Sequence, residues 1–523
     1  MIKHRNNLVI GKPIYTKYSI LCSIIIGCAI LLRFFMLSNQ SFWIDEGLTL
    51  QRIDHDSIEK VISHLKEERY DRYQPIYFLL LFWWRSIFGN TEFALRSVSA
   101  LLGSCFVIII YLLALKLYSK KHSIWSLTIV SFSSFSVYYS QEARPYALVM
   151  FLSALQLYFF ILSITTKNFS QRLSIWGFWL ITLLGIVSSI FLSIFTIALA
   201  LSDSIVYRNF RRWLKIWSPL VILGLLVLLF FLTSPAVHSF SIGLTNHYNF
   251  SLFQNLIFVL YGILVGLTFG PTPEQLRGIS TIEVTLNYWP LLVVLFVVVL
   301  TILIPLFLNL IQGRTNSKYR ETDILLFCLF FASLFLGFLF ASITKINWVP
   351  RHSSYLIVPL VLILPSAFSN IYQTNFKQHL FFLWTQFAVI ALIIFNIYSL
   401  NNYYFNLSYR KDDYRSTAQY LLGHHNFYSK SILLEGKPKL LAYYGYPQII
   451  DGRKLNCFEL AREVNNLTNN SNTVLLVLNR DFHWVPSSHF SIKGVMNELY
   501  NLKSETFFPY FKIYCFEKKN ETN

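Results

Sequence analysis

Apolar residues in this chain run on in long blocks. Stretches of roughly 18–25 apolar residues, the length needed to cross about 30 Å of hydrocarbon, are separated by short loops rich in Lys and Arg. The first block, 18–38, is too long for a signal-peptide core and lacks a small-residue cleavage site, so it reads as an uncleaved span with its N-terminus in the cytoplasm. Further spans are expected over 93–117, 123–140, 145–166, two within 173–207, 216–233, 289–309, 323–343, 353–371 and 380–400, about eleven crossings in all. The basic clusters Lys116, Lys120 and Lys121, then Arg208, Arg211, Arg212 and Lys215, then Arg314, Lys318 and Arg320 fall in loops that this count places inside, as the positive-inside rule requires. If 252–270 crossed the membrane that parity would fail, so it is read as an outer-face re-entrant or interfacial helix. The apolar run that starts at Pro75 and ends at Phe88 is too short to span and reads as a helix lying on the outer surface.

The tail, 401–523, is polar and long enough for a small domain outside the cytoplasm. Runs at 431–434, 473–478 and 511–516 read as strands, and 412–422 and 493–501 as helices. The fold class is therefore an all-α polytopic membrane protein with a small α/β extracytoplasmic domain. The domain division is 1–400, with a large first outer loop over 39–92, and 401–523. No internal repeat supports an inverted-repeat transporter.

Composition agrees. Of 523 residues, 54% are hydrophobic and 13% charged, against about 25% charged in average soluble domains. The net charge of +18 sits mostly in the short loops, so it marks topology and not a nucleic-acid partner. Cys457 and Cys515 lie in the tail and can pair in an oxidising compartment. The cysteines form no metal-binding spacing.

Ionisable groups beside hydrocarbon are costly and mark candidate function. Four such segments fall on the predicted outer face. Asp45 and Glu46 follow the first span in Phe42-Trp43-Ile44-Asp45-Glu46-Gly47. Adjacent side chains diverge, so one can face a site and the other a structural partner, and a partly desolvated carboxylate is suited to general-base work; the alternative is an N-cap or a solvated loop pair. The turn Tyr138-Tyr139-Ser140-Gln141-Glu142-Ala143-Arg144-Pro145-Tyr146 puts Arg144 at a helix N-terminus, where a phosphate is favoured; the alternative is a Glu142–Arg144 pair clamping the hairpin. Arg351, in Trp348-Val349-Pro350-Arg351-His352, runs against the positive-inside bias, which a bidentate phosphate contact or interfacial snorkelling explains. Tyr73, Gln74 and Tyr77 head the surface helix in a Tyr-rich segment.

These segments, with Glu92-Phe93-Ala94-Leu95-Arg96, Phe269-Gly270-Pro271-Thr272 and Arg410-Lys411-Asp412-Asp413-Tyr414-Arg415, resemble the bacterial branch of the protein mannosyltransferase and aminoarabinose transferase family, GT-C glycosyltransferases of family 39 type. The resemblance runs from about residue 20 to about residue 425, and its most specific element is Tyr-Ser-Gln-Glu-Ala-Arg-Pro-Tyr. It implies an inverting transferase in the bacterial cytoplasmic membrane that moves a sugar from a polyprenyl-phosphate donor to a lipid, glycan or protein hydroxyl. Asp45 would be the general base and Glu46 would position it or the acceptor. Arg144 and Arg351 would hold the donor phosphate. Glu142, Tyr73, Gln74, Tyr139 and His352 would position substrate. No cofactor is implied; a divalent metal on Asp45 and Glu46 is conceivable but not obligatory. The chain departs from family members that carry His-Pro-Pro or Lys-Pro-Pro where it has Tyr73-Gln74-Pro75, and from those with a His where it has Ser188-Ser189-Ile190-Phe191-Leu192-Ser193. The alternative is a transporter or flippase of lipid-linked sugar without transfer chemistry. It predicts charge at mid-membrane, whereas these spans are nearly charge-free apart from edge positions such as Arg33 and Asp203. A third reading, a degenerate family member kept as a scaffold, conflicts with the presence of Asp45, Glu142, Arg144 and Arg351.

Overall fold

In a computed structural model the described residues are 17–67, 74–233, 251–278, 281–312, 319–344, 346, 348–369, 376–424, 429–434, 437–452, 455, 459–468, 471–479 and 492–519. Among them, eight helices are long and apolar enough to cross a membrane. They are α1 (Lys17–Phe34), α5 (Glu92–Leu117), α8 (Tyr146–Thr165), α9 (Asn168–Ser188), α10 (Ile190–Tyr207), α14 (Thr281–Gln312), α15 (Arg320–Thr344) and α18 (Phe376–Phe405). Between α1 and α5 lie three shorter helices, α2 (Ile44–Ile53), α3 (Ile58–Glu67) and α4 (Pro75–Phe88). The predicted surface helix is thus α4. It opens with Pro75 at its first turn, where a missing N–H costs nothing, and closes on Gly89 at φ +82.

Two predicted spans are broken helices. The stretch 123–140 divides into α6 (Lys120–Phe132) and α7 (Ser134–Ser140). Ser133 adopts extended dihedrals and caps α7 by accepting from the Ser136 N–H, so one serine both ends a helix and starts the next. The stretch 353–371 becomes a 3₁₀ segment, Pro350–Leu356, with a non-helical Ser353, followed by α16 (Ile357–Ile363) and α17 (Ser366–Ser369). Predicted span 216–233 lies within α11 (Phe210–Thr233).

The block 252–270 forms α12 (Leu252–Val265), only 14 residues long, started by a Ser251–Gln254 capping box. That is about 21 Å of helix, short of the hydrocarbon thickness. The chain then turns at Gly266, whose φ is +84 and where a Cβ would come within 2.2 Å of Ser134 Oγ. Polar residues of α18 hold this turn. Asn396 Nδ2 donates to Leu264 O at 2.8 Å and Asn402 Nδ2 to Thr268 O at 2.9 Å. Asn396 Oδ1 accepts from Ser134 N–H at 2.9 Å. The short helix α13 (Pro273–Gly278) follows.

Within the bundle α5 packs on α1, α6 and α8, α8 on α9, and α10 on α15. Buried acids are partnered near helix ends. Tyr118 Oη and Ser366 Oγ each donate to Asp323 Oδ1 at 2.7 Å, and Trp217 Nε1 donates to Asp203 Oδ2 at 2.8 Å. Arg33, in the last turn of α1, is fully buried and donates to Ala29 O and Ser136 Oγ.

Beyond α18, which runs on to Phe405, comes α19 (Tyr414–His424) and a five-stranded sheet ordered β2-β1-β3-β5-β4. β1 (Ser429–Leu433) pairs parallel with β2 (Ile450–Asp451) and β3 (Thr473–Asn479). β5 (Phe511–Lys518) runs antiparallel to both β3 and β4 (Tyr500–Phe508). Ile432, Leu476 and Phe516 form its core with Leu460 and Val464 of α21 (Leu460–Leu467); α20 (Pro438–Tyr443) lies between β1 and β2. The predicted helix over 493–501 is corrected: α22 (Ile492–Met496) stops early and β4 begins at Tyr500. The gain is pairing for an edge of β5 that would otherwise stand open. Cys457 lies outside the described residues.

Candidate active site

Asp45 and Glu46 occupy the first turn of α2. Neighbours on a helix point about 100° apart, and the two carboxylates have different surroundings. Glu46 is completely buried. It forms a two-point pair with Arg96 of α5, Nε to Oε1 at 2.8 Å and Nη2 to Oε2 at 2.7 Å, and accepts the Ala143 N–H at 2.9 Å. Arg96 spends its remaining donors on Leu37 O, Gln40 O and Ser41 O at 2.7–2.9 Å. All five guanidinium N–H groups are therefore matched. Burial pushes the Glu46 carboxyl upward, but Arg96, Lys411 and the Ala143 N–H outweigh it and hold the group below its ordinary value.

Asp45 faces the other way. Its side chain keeps 20% exposure, and Oδ2 accepts from Arg351 Nη1 at 2.8 Å, Arg351 itself being 31% exposed. Arg351 is held by the 3₁₀ segment, and the next residue, His352, stacks on Phe191 of α10 at 4.9 Å and 12°. Arg144 reaches the same turn of α2, with Nη1 3.4 Å from Asp45 O and 3.3 Å from Thr49 Oγ1. It stands just ahead of α8, with Pro145 at the cap position. Its backbone is steadied from α4 through α5: Tyr77 Oη meets Ser99 Oγ at 2.8 Å, and Ser99 Oγ donates to Arg144 O at 3.3 Å. The structure therefore brings Asp45, Arg144 and Arg351 together.

Glu142 is 1% exposed. It does not pair with the Arg144 side chain; its ionic partner is Lys411, whose Nζ stands 2.9 Å from Oε1. Burial raises the Glu142 carboxyl, Lys411 opposes that, and nearby Glu46 and Asp45 reinforce it; the net direction is up. Gln141 fastens the loop to the end of α1, donating from Nε2 to the carbonyls of Leu32, Arg33 and Phe35 at 2.9–3.1 Å. Tyr139 is buried against Tyr146 at 5.0 Å and Phe135 at 4.8 Å. Gln74 precedes α4 and is half-buried. Tyr73 lies outside the described residues.

Two residues central to this geometry carried no individual role in the sequence reading, Arg96 and Lys411. For Arg96 a signal existed: an arginine near the predicted outer end of a span breaks the positive-inside bias as Arg351 does. Lys411 had none, being one cation in a charged run. The tail supplies it through Ser41, whose Oγ donates to Asp412 O at 2.7 Å and accepts from the Tyr414 N–H at 3.0 Å. Among the described residues, no group of three His, Cys, Asp or Glu side chains is placed to hold a metal ion.

Residues 74–238 match the sequence family described as dolichyl-phosphate-mannose-protein mannosyltransferase. No curated protein sequence matches the chain significantly. Among solved structures, the chain is similar to ArnT from Cupriavidus metallidurans in the apo state, with a TM-score of 0.56 and 10% identity over 96% of this chain and 98% of that one. It is likewise similar to ArnT of the same organism bound to undecaprenyl phosphate, with a TM-score of 0.54 and 11% identity over 94% and 97% of the two chains. The archaeal oligosaccharyltransferase AglB from Archaeoglobus fulgidus, in complex with an inhibitory peptide and a dolichol-phosphate, gives a TM-score of 0.47 and 11% identity over 88% and 69%. The chain is thus a multi-pass membrane protein with the GT-C fold of ArnT, and part of its bundle carries the mannosyltransferase family's sequence signature.

Proposed function

We propose that this protein is an integral-membrane inverting glycosyltransferase that takes a sugar from a polyprenyl-phosphate donor and passes it to a hydroxyl of a lipid, glycan or protein on the outer face of a bacterial cytoplasmic membrane. The N-terminus then lies in the cytoplasm and the tail outside. The observation that carries this reading is the part-exposed Asp45 carboxylate held 2.8 Å from Arg351, with Arg144 Nη1 3.4 Å from the Asp45 carbonyl.

In this reading Asp45 takes the proton of the acceptor hydroxyl as the oxygen attacks the anomeric carbon. The bond from that carbon to the phosphate oxygen breaks, its electron pair leaves on the polyprenyl phosphate, and the anomeric centre inverts. Arg144 and Arg351 stabilise the charge that grows on the leaving phosphate, the effect that matters most where a site's dipoles and charges are fixed beforehand. Asp45 can act as base only once Arg351, 2.8 Å from its carboxylate, has turned from it to the phosphate. Glu46 is a positioning residue: Arg96 occupies both its oxygens. Among the described residues, Arg96, Arg144, Arg351 and Lys411 face Asp45, Glu46 and Glu142. That excess of one positive charge suits a phosphodiester, which carries a single negative charge.

The transporter alternative is less well supported, because Asp203 and Asp323, acids buried within the bundle, sit near helix ends with protein partners. The test is transfer from radiolabelled polyprenyl-phosphate sugars to membrane extracts by Asp45→Asn. Loss of a general base costs about 10²–10⁴-fold, and wild-type turnover by this variant would exclude the mechanism.

A further inference from the structure

The Lys411 ammonium is enclosed as a bound cation would be. Its side chain is 6% exposed and lies 2.9 Å from the Glu142 carboxylate. It also sits 4.9 Å from the centre of the Tyr138 ring and 5.7 Å from that of Trp43. A carboxylate with aromatic faces is the arrangement that recognises ammonium ligands. The Lys411 ammonium engages Glu142 Oε1, and Glu142 Oε2 meets no donor among the described residues. A buried carboxylate oxygen without a donor is costly, so this oxygen is a place for a ligand hydroxyl. The cage adjoins the reacting groups: Ala143, next to Glu142, binds Glu46, and Arg144, one further, contacts Asp45 O.

We infer that Lys411 is an internal ammonium that fills a cation cage beside the reacting centre, making it a specificity-determining residue that admits donor sugars without a positive charge. This rests on the glycosyltransferase reading. A sugar bearing an amine at this position would bring a second cation against Lys411, and like charges placed together are a strong means of rejecting a ligand. A neutral sugar would instead donate a hydroxyl to Glu142 Oε2 while Lys411 balances the carboxylate. The tail segment that delivers Lys411 thereby takes part in choosing the substrate.

The test uses the full chain in lipid nanodiscs, with Lys411→Met and the double variant Lys411→Met with Glu142→Gln. Two readouts are taken, melting temperature with and without methylammonium, and transfer from polyprenyl phosphates carrying a neutral hexose or an amino sugar. Lys411→Met should melt below wild type and regain stability in methylammonium, whereas wild type and the double variant should not respond. Wild type should prefer the neutral donor, and Lys411→Met should shift that preference toward the amino sugar by about tenfold or more, the scale of one charged contact. If Lys411→Met does not accumulate, accumulation of the double variant supports the assignment, and its failure overturns it. A Lys411→Met melting curve unmoved by methylammonium, or a wild type that prefers the amino sugar, also overturns it. If wild type transfers neither sugar while the methylammonium response holds, the transferase reading fails and the occupied cage remains.

Discussion

Asp45 and Glu46 are adjacent in sequence, both acidic and both paired to an arginine, yet they belong to different parts of the molecule. The Glu46–Arg96 pair lies in a dry knot where every guanidinium donor is used. The Asp45–Arg351 pair joins, at 2.8 Å, side chains that keep 20% and 31% exposure. The first arrangement cannot exchange partners without leaving a charge buried and alone. The second can, because water or a ligand anion can replace either partner. In the proposed mechanism, burial thus divides the two ion pairs into framework and machinery, and the sign of their charges does not tell which.

The largest effect should come from the knot. Arg96→Met leaves Glu46 buried without its cation, and breaking such a pair costs about 3–5 kcal/mol, a large part of a typical folding free energy. The variant should fail to accumulate in membranes, as an immunoblot would show; normal accumulation would move this pair out of the framework.

Next comes Arg144→Lys. Lysine keeps the charge but loses the planar fork, so transfer should fall about tenfold to a hundredfold, the scale of one charged hydrogen bond. Membrane insertion should be unchanged. Near-wild-type turnover would make Arg144 a structural clamp of α2 through Thr49.

Acid should separate the two carboxylates as well. Glu46 is held below its ordinary value, with burial outweighed by Arg96 and its other partners. Its contribution to stability is therefore complete above the usual carboxylate range and fades as pH drops through the lowered folded value. Melting followed from neutral pH downward should lose stability in wild type, and Glu46→Gln, less stable throughout but still able to accept from Arg96 through its amide oxygen, should flatten that acid limb. An unchanged limb would mean that other groups set it.

The smallest effect belongs to the seam between loop and tail, where Arg415 meets Glu92 and Tyr444 Oη donates to Glu92 at 2.7 Å. This site is part-exposed, so Arg415→Met should cost about 1 kcal/mol or less, read as a small melting shift with turnover kept. A collapse of activity would move the seam into the machinery.

The bundle was legible because hydrocarbon imposes one demand, a long apolar run, that sequence displays directly. Its breaks were not. Ser133 interrupts a helix through its own cap in a run of serines and phenylalanines, with no proline or glycine to mark it. In the tail the helix read through 493–501 hid β4, since Tyr500–Phe508 becomes a strand only by pairing with β5. The site was half legible. Asp45, Glu142, Arg144 and Arg351 stand out as charges at a membrane edge, but which acid meets which cation is decided by residues far apart in the chain. Glu46 finds Arg96, and Glu142 finds Lys411 across more than half the sequence. The spacing within Glu142-Ala143-Arg144 suggested a local clamp, and the fold uses a distant partner instead.

In the proposed mechanism Asp45 and Arg351 exchange partners when donor binds. Polyprenyl-phosphate binding and sugar transfer measured together on Asp45→Asn test it most directly. Binding should be at least as tight as in wild type, because Arg351 no longer has the Asp45 carboxylate to leave, with transfer reduced about 10²–10⁴-fold. Weakened binding alongside lost transfer would make Asp45 part of the phosphate site's framework, and wild-type transfer would remove it from the chemistry; either result contradicts the claim.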